Sequence, residues 1–338
     1  MERKKHIGTI AIVYNLKKKN SVGDECEEYD EIETIHSLRE EIRKYGFRVR
    51  LIEQDRDFLA NIIRRKPDFV FNIAEGKGNT RTRESQVPCI LESIGIPYSG
   101  SDALSMAITL DKYLTNTVLR SGGIPVPRMF LAENGDELGK TRGIFSGGKK
   151  YVVKPRWEGS SKGIFLDSVV GDIAALKKKL RRVLVSYKQP AVIEEFVEKD
   201  EITVGVCGNK LPRILGMMRI SPQDGQGVDF LYCLENKKDW RTKIKYEPSS
   251  VIPRKMQAKL ERYALGAYKA LGLRDVARID FRIGTDGIPR VIDVNPLPGL
   301  SPVYSDLPIL CGLGGITYES LIHAILQESL KRYGYSLR

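Results

Sequence analysis

The chain has 338 residues, and the 41% that are hydrophobic are enough to form the cores of two or three lobes. Its net charge is +12, but the basic residues are mixed with acidic ones, and the densest basic run, at 177–182, lacks interleaved aromatic residues. We therefore expect solvated basic faces and no nucleic-acid partner. No apolar run reaches the roughly 18 residues that a membrane span needs, so we expect no membrane insertion.

Cysteine and histidine usage excludes further classes of site. The cysteines are odd in number, far apart and without zinc-ligand spacing, which predicts reduced thiols and a cytoplasmic location; they are Cys26, Cys89, Cys207, Cys233 and Cys311. The histidines are too few and too scattered for a histidine metal site or an acid–base triad; they are His6, His36 and His323. Chemistry that depends on histidine or on cysteine ligands is therefore not expected.

Residues 1–103 predict an N-terminal lobe built on a parallel sheet. Strands and helices are predicted in alternation, at 7–14, 31–45, 49–53, 58–65 and 68–73. This alternation is typical of a parallel sheet covered by helices. A turn at 97–101 closes the lobe.

A central lobe is predicted at 104–190 and a C-terminal lobe at 191–338. The sequence predicts a helix at 103–121, and a strand at 151–155 that leads into the loop 158–163, which contains two glycines and two serines. Glycines let backbone N–H groups approach phosphate oxygens, and serines add donors. An ordinary turn is the commoner meaning of such a loop, but Lys154 at the end of the preceding strand favours a phosphate site.

The most informative pattern is a predicted β-hairpin at 276–296. Arg278 and Asp280 share one face of its first strand, and Asp293 and Asn295 share one face of its second. A symmetric turn would place Arg278 opposite Asp293, with Asp280 one diagonal step away. Oxygen-bearing side chains of this kind are the ligands that Mg²⁺ prefers, usually together with substrate phosphates. The alternative is a surface hairpin whose charges face water.

Eight short motifs, in chain order from about 69 to 302, resemble the D-alanine–D-alanine ligases of the ATP-grasp superfamily. They are Phe-Asn-Ile at 71–73, Gly-Ile-Pro-Tyr-Ser-Gly-Ser at 95–101, Leu-Asp-Lys at 110–112, Val-Lys-Pro at 153–155, Glu-Gly-Ser-Ser-Lys-Gly at 158–163, Ile-Glu-Glu-Phe at 193–196, Ala-Arg-Ile-Asp at 277–280 and Asn-Pro-Leu-Pro-Gly at 295–299. The resemblance implies a fold of mixed α/β and α+β class. This is a three-lobed ATP-grasp fold with an N-terminal parallel-sheet domain, and ATP lies between the central and C-terminal lobes.

The resemblance also implies roles for individual residues. Nucleotide-binding residues would be Lys112, Lys154, Ser160, Ser161, Glu194, Glu195, Val197 and Glu201. Metal ligands would be Asp280, Asp293 and Asn295, holding two Mg²⁺ ions, with Mn²⁺ as an alternative. Arg278 and Ser160 would be catalytic. The substrate side would include Glu75, Gly299, Tyr304 and Ser305.

The implied reaction joins a carboxylate to an amine. ATP phosphorylates the carboxylate, and an amine attacks the resulting acyl phosphate to give an amide, ADP and phosphate. Water must be excluded from the acyl phosphate. The implied substrates are amino acids, and a homodimer is expected by analogy. D-alanine as substrate would imply a role in peptidoglycan synthesis.

Three departures from the family pattern concern the substrate. The segment 14–19 replaces a Gly-Gly-x-Ser-x-Glu segment and removes a substrate-facing glutamate, unless an acid within 25–33 takes its place. Glu75 stands where the family has a histidine, and Asp293 where it has a glutamate. These departures leave two alternatives to D-alanine ligation: a ligase for another amino-acid pair or carboxylate, and an ATP-binding protein without turnover.

Overall fold

The structure is a computed structural model that describes residues 7–18, 24–133, 145, 148–225 and 230–337. Within these ranges the strands are β1 Thr9–Tyr14, β2 Arg48–Glu53, β3 Phe69–Asn72, β4 Met129–Ala132, β5 Tyr151–Pro155, β6 Val169–Val170, β7 Ala191–Glu195, β8 Glu201–Cys207, β9 Arg213–Pro222, β10 Ile244–Pro248, β11 Val276–Ile283 and β12 Pro289–Asn295. The α-helices are α1 Ile32–Arg43, α2 Phe58–Arg65, α3 Gln86–Ser93, α4 Ala103–Leu110, α5 Lys112–Ser121, α6 Ile173–Ser186, α7 Leu234–Lys238, α8 Trp240–Lys243, α9 Arg254–Ala270, α10 Asp306–Leu313 and α11 Tyr318–Arg332.

The N-terminal lobe contains a three-stranded parallel sheet in the order β2-β1-β3. Its central strand is apolar on both faces because helices cover both sides. Ile10 and Ile12 pack into one core, and Ala11 and Val13 pack into another on the opposite face. The predicted alternation of strands and helices in this lobe is confirmed.

The rest of the chain forms two antiparallel sheets. One has the order β4-β7-β5-β6, and the other has the order β10-β9-β8-β11-β12. A parallel sheet followed by antiparallel ones agrees with the predicted mixture of α/β and α+β structure. Strand β7 pairs with β5, so the predicted lobe limit at 190–191 falls between two strands of one sheet. The lobe limits themselves stay predictions.

The predicted helix at 103–121 is wrong in one respect, because it is two helices. Asp111 has an extended backbone (φ −85°, ψ 95°) that ends α4, and its carboxylate accepts a hydrogen bond from Leu114 N at 3.1 Å to cap α5. The same carboxylate binds Arg156 Nε at 2.9 Å. The break places Lys112 on the first turn of α5, beside the loop that follows β5.

The first and last parts of the chain share a core. Apolar residues of β1 and β3 pack with Leu321, Ile322 and Ile325 of α11. Within the described residues no single helix has the length and apolarity of a membrane span, although α10 and α11, bent by 114°, meet that test as a pair. All five cysteines are free thiols.

A buried carboxylate fastens the C-terminal lobe to the N-terminal lobe. Asp275 is fully buried and accepts hydrogen bonds from Gly100 N and from the Arg332 guanidinium, both at 2.8 Å, and from Asn209 Nδ2 at 2.9 Å. Its φ of +64° is a left-handed conformation that Asp and Asn tolerate better than Ala. Asp275 therefore contributes both charge compensation and backbone geometry.

We expect Asp275→Ala to lower the free energy of unfolding by about 3–5 kcal/mol, because it leaves the Arg332 charge without its buried partner. Asp275→Asn is the matched control; it keeps the left-handed backbone and an acceptor, and we expect a smaller loss. Urea titration followed by circular dichroism measures both. Equal stability of Asp275→Ala and the wild type would contradict this account of the interface.

Candidate active site

A cavity of about 540 Å³ lies between the N-terminal sheet, the loop 158–163 and the hairpin of β11 and β12. Many of the predicted site residues line it; these are Glu75, Lys112, Ser160, Arg278, Asp293, Asn295, Gly299, Tyr304 and Ser305. The others lie outside its lining; these are Lys154, Ser161, Glu194, Glu195, Val197, Glu201 and Asp280. The structure thus brings the predicted reaction and substrate residues together, and it places most of the predicted nucleotide residues elsewhere.

The hairpin has a different register from the predicted one. Arg278 pairs with Asn295, and Asp280 pairs with Asp293, whereas the symmetric turn predicted Arg278 opposite Asp293. The turn is one residue longer than expected, and a bulge after Asp280 adds one more residue on β12. The two extra residues together shift the register by two positions, which is an even number, so the polar side chains of both strands still share one face.

Arg278 is held between two carboxylates. Its Nε and Nη2 atoms donate to Asp280 at 3.0 and 2.9 Å, and its Nη1 lies 3.3 Å from Asp306 Oδ2. Burial acts to raise the pKa of Asp280, but the charge of Arg278 and hydrogen bonds from Arg278 and Thr203 outweigh it, so this pKa lies below its ordinary value. Asp280 is therefore an anion, and Arg278 has a fixed orientation toward the cavity.

The donor set of the hairpin fits Mg²⁺. Asp293 and Asn295 alternate on β12, and Asp280 lies opposite Asp293, so three oxygen-bearing side chains share one face. The Asn295 amide nitrogen donates to Asp280 at 3.0 Å, which leaves the amide oxygen available for other contacts. Among the described residues no group of three or more His, Cys, Asp or Glu could hold a metal, and this set has two carboxylates and one amide. Phosphate oxygens would have to complete the coordination.

The loop 158–163 has an unusual backbone. Ser160 and Ser161 both adopt left-handed conformations, with φ of 47° and 61°. Ser160 is exposed and lines the cavity, whereas the Ser161 hydroxyl donates to the Tyr232 carbonyl at 3.3 Å. Lys112 Nζ donates to the Glu158 carbonyl at the start of the loop. The loop therefore presents Ser160 and its backbone to the cavity.

Four charged residues, Glu28, Arg83, Glu158 and Lys162, tie this loop to the N-terminal lobe, and we call them the loop latch. The first three are buried, and the Lys162 side chain is 12% exposed. Arg83 Nη2 lies 2.5 Å from Glu28 and 3.4 Å from Glu158, and Lys162 Nζ lies 2.7 Å from Glu158 and 3.5 Å from Glu28. Glu28 also accepts from Gly159 N at 2.5 Å. Despite burial, the charges of Arg83 and Lys162 keep the pKa of Glu28 below its ordinary value. The sequence left Glu28 as one of several acids within 25–33.

Four of the eight predicted nucleotide residues lie outside the cavity lining in ion pairs of their own. Lys154 Nζ binds Glu194 at 2.6 Å, and both side chains are buried. A second cavity of about 10 Å³, lined by Lys112, Glu194 and Asp293 among others, lies between this pair and the hairpin. Glu195 binds Lys149 at 2.7 Å near the surface.

Arg282, which the sequence did not single out, organises the linker between β7 and β8. It donates to the Val197 carbonyl at 2.5 Å and to the Lys199 carbonyl at 3.1 Å, and it pairs with Glu201 at 3.0 Å. Its guanidinium also stacks on Phe196 at 4.6 Å. Its alternation with Arg278 and Asp280 on β11 was the only sequence signal for it.

The wall of the cavity on the N-terminal side is acidic. Asp30, Glu75 and Glu84 all line it. Burial, followed by the charge of Glu31, raises the pKa of Asp30 to about 7. Burial and neighbouring carboxylates, Glu84 first, raise the pKa of Glu75 well above its ordinary value, and burial raises the pKa of Glu84 to about 8. We call these three residues the acidic wall.

The fold and the site together define the ATP-grasp class. A parallel-sheet lobe is joined to two antiparallel sheets, and one cavity is lined by a loop that a lysine anchors and by a hairpin that carries carboxylates. The family profile described as D-ala D-ala ligase C-terminus matches residues 118–327. The chain is 31% identical over 298 residues to D-alanine–D-alanine ligase of Aquifex aeolicus, covering 87% of this chain and 94% of the relative. It is 30% identical over 307 residues to the uncharacterised protein y4sG of Sinorhizobium fredii, covering 86% of each.

A solved structure agrees with these relatives. The crystal structure of D-alanine–D-alanine ligase from Bacillus anthracis complexed with ATP superposes with a TM-score of 0.73 at 25% identity, covering 96% of this chain and 98% of that one. The chain belongs to the D-alanine–D-alanine ligase family, whose members are ATP-dependent ligases that use Mg²⁺. The fold class and the family resemblance predicted from the sequence are confirmed.

We expect Glu28→Gln to loosen the loop, because it leaves Arg83 without its closest anion and weakens the acceptor for Gly159 N; such a loss costs about 3 kcal/mol or more. Trp157, next to the loop, is one of two tryptophans, so a Trp240→Phe background isolates its fluorescence. Iodide should quench Trp157 more strongly in the variant. Glu27→Gln is the matched control because Glu27 pairs with Lys17 and Lys238 instead. Equal quenching in Glu28→Gln and the wild type would contradict the latch.

We expect the stability of the ligand-free protein to fall as pH rises from about 4.5 to 8, relative to that of Glu84→Gln. The folded-state pKa of Glu84 is raised above its ordinary value of 4.5, so in this window the folded state holds a proton that the unfolded state has lost. The slope for one group is at most about 1.4 kcal/mol per pH unit. Urea titrations of both proteins across this range measure it. Parallel profiles of stability against pH for the two proteins would show that the pKa of Glu84 is not raised.

Proposed function

We propose that this ligase uses ATP and Mg²⁺ to join the carboxylate of one amino acid to the amine of another through an acyl phosphate. One observation carries the proposal: Arg278, Asp293 and Asn295 of the hairpin share a single cavity with Lys112 and Ser160. A protein that only binds nucleotide has no need for a fixed arginine beside a carboxylate metal face. The family's ATP-dependent chemistry supports the same reading.

Arg278 is the proposed residue for the phosphoryl-transfer step. When a carboxylate oxygen attacks the γ-phosphorus, negative charge spreads over the transferring group. A guanidinium that Asp280 and Asp306 already hold in place needs no reorganisation to meet that charge. Lys112 and the backbone of the loop, with Ser160, would bind the phosphate oxygens.

Asp280, Asp293 and Asn295 would hold the magnesium. Bound there, Mg²⁺ would neutralise phosphate charge during transfer. We propose two ions, which these three residues would hold together with the phosphate oxygens of the nucleotide. Mn²⁺ has the same preference for oxygen ligands and is the proposed substitute.

The nucleotide would extend from the main cavity past the smaller one toward the linker that follows β7. Lys154 and Glu194 border that path, and Arg282 fixes the Val197 carbonyl and Glu201 at its end. We propose that Glu194, Glu195 and Val197 bind the adenine and that Glu201 accepts from the ribose. Ser161 would act through the loop backbone, since its hydroxyl contacts the Tyr232 carbonyl.

The remaining cavity would hold the two amino acids. Tyr304 and Ser305 line the cavity. The Ser305 hydroxyl accepts a hydrogen bond from Ser301 N at 3.0 Å, which stabilises the turn after Gly299. We propose that this turn binds the acceptor carboxylate and that Glu75 faces the other substrate. The loop latch would keep water from the acyl phosphate.

D-alanine, the substrate in the names of the relatives, is the reference substrate for this proposal, with a role in peptidoglycan synthesis. Glu75 in place of the family's histidine supports testing other amino acids beside it. ATP-dependent chemistry on free amino acids, together with five free thiols, supports a cytoplasmic location. A homodimer stays a prediction.

We expect Arg278→Ala to reduce ADP release by at least about 100-fold while ATP still binds, because the charge of the transferring phosphoryl group loses its preorganised partner. Arg290→Ala is the matched control; Arg290 lies in the same hairpin but pairs with Asp286 near the surface. Arg278→Lys keeps a buried cation, and it is the second variant to measure in case Arg278→Ala does not fold. Turnover near the wild-type rate in Arg278→Ala would contradict the proposed role.

A further inference from the structure

The acidic wall differs from several other acidic residues of the cavity in forming no direct ion pair within the described residues, although the charge of Arg83 acts on Glu75 and Glu84. Glu27 pairs with Lys17 and Lys238, and Asp306 pairs with Arg278. The two glutamates of the loop latch are likewise neutralised by Arg83 and Lys162. By contrast, within the described part of the chain we find no ion pair or side-chain hydrogen bond to the carboxylates of Asp30, Glu75 or Glu84.

Glu84 is the most informative of the three. It lies in the short 3₁₀ turn Arg83–Ser85, its side chain lines the cavity, and the residue is only 6% exposed. A buried carboxylate without a partner costs several kcal/mol unless it is neutralised or a cation reaches it. Because the other side of this carboxylate is the substrate cavity, the missing cation can come from a ligand.

The backbone also positions Glu84 and Glu75 relative to one another. Gly76 has a φ of +88°, and a Cβ added there would overlap the Arg83 carbonyl, so the chain after Glu75 passes directly against the turn that carries Glu84. The charge of Glu84, and to a lesser extent that of Asp30, raises the pKa of Glu75, in keeping with their places on one wall of the cavity. The acidic wall is thus one cluster of carboxyl groups, and a cation in the cavity would favour their ionised form.

The spacing does not suit a metal ion. Within the described residues, no three carboxylates or other ligands of this kind lie close enough together to hold one. Carboxyl groups that share one wall of a cavity without forming a metal site match an organic cation. In a ligase for amino acids, the α-ammonium group of one substrate satisfies one carboxylate, and the others still lack a positive charge.

We propose that the acidic wall binds the side-chain ammonium group of a diamino acid, so that one of the two amino acids joined by this ligase is cationic. This inference rests on the proposed function for its reaction, but the binding of the ammonium group can be measured without turnover. The cation would approach Glu84 and Glu75 from the cavity, with Asp30 completing the negative surface.

The test compares amino acids that differ only in the ammonium group. Lysine against norleucine, and ornithine against norvaline, are titrated as both enantiomers into the full chain with Mg²⁺ and a non-hydrolysable ATP analogue, and binding is followed by calorimetry. We expect the cationic member of at least one pair to bind at least about tenfold more tightly, as a charged hydrogen bond in a buried site predicts. Equal binding within every pair would overturn the inference.

Variants separate the acidic wall from general electrostatics. We expect Glu84→Gln and Glu75→Gln each to reduce the preference for the cationic member at least about fivefold. Glu31→Gln is the control, because Glu31 lines the same cavity but is exposed, and it removes the same amount of charge. If Glu31→Gln reduced the preference as much as Glu84→Gln, a specific ammonium site would be ruled out.

Release of ADP with the same amino acids distinguishes this inference from the proposed function. Turnover that is faster with a diamino acid than with its neutral counterpart supports both. Turnover with alanine or norleucine that is no faster with lysine or ornithine would overturn the inference of a diamino-acid substrate, but it would agree with the proposed ligase activity. Preferential binding of a diamino acid without ADP release from any amino-acid pair would support the ammonium site and contradict the ligase.

Discussion

The shape of the cavity depends on the four charges of the loop latch. Glu28 and Arg83 come from the N-terminal lobe, and Glu158 and Lys162 come from the loop proposed to bind the phosphates. Two anions and two cations balance, so the cost of burying them is offset only while all four are present. The latch also fixes Gly159 N, whose hydrogen bond to Glu28 orients the loop backbone. The geometry around Ser160 follows from this balance.

The same rule of compensation organises the rest of the site. Arg278 is balanced by Asp280 and Asp306, and Arg282 is balanced by Glu201. Each arginine thereby holds a segment of the proposed site: Arg278 holds the hairpin face, and Arg282 holds the linker between β7 and β8. The acidic wall is the exception, because its carboxyl groups form no ion pair within the described residues. Carboxyl groups that the fold leaves without an ion pair on the wall of the cavity are suited to a cationic ligand.

The sequence predicted the parts of this structure that depend on local pattern. The periodicity of the apolar residues and the positions of the turn residues were sufficient to predict the parallel sheet and the polar faces of the hairpin. The register of the hairpin was predicted wrongly because a bulge and a longer turn leave no clear mark in a single sequence. The break at Asp111 was missed because a capping aspartate inside an apolar helical pattern resembles an ordinary helical residue.

The contacts that close the site were beyond prediction for a different reason. Glu28 and Gly159 are 131 residues apart, so no local pattern joins them. The motifs proposed residues for the phosphate chemistry and placed Lys154 and Glu194 beside the nucleotide, but they gave no sign that the two form a buried ion pair. Long-range charge pairing is decided by the packing of the lobes.

In the proposed reaction the carboxylate of one substrate becomes an acyl phosphate. Its most direct test uses an amino acid labelled with heavy oxygen in its carboxylate, incubated with the protein, ATP and Mg²⁺, followed by mass analysis of the inorganic phosphate. Attack by the carboxylate on the γ-phosphorus, then by the amine on the carbonyl carbon, transfers one labelled oxygen to each phosphate released. Labelled phosphate together with ADP is the predicted result. Unlabelled phosphate, or release of AMP and pyrophosphate, would contradict the account.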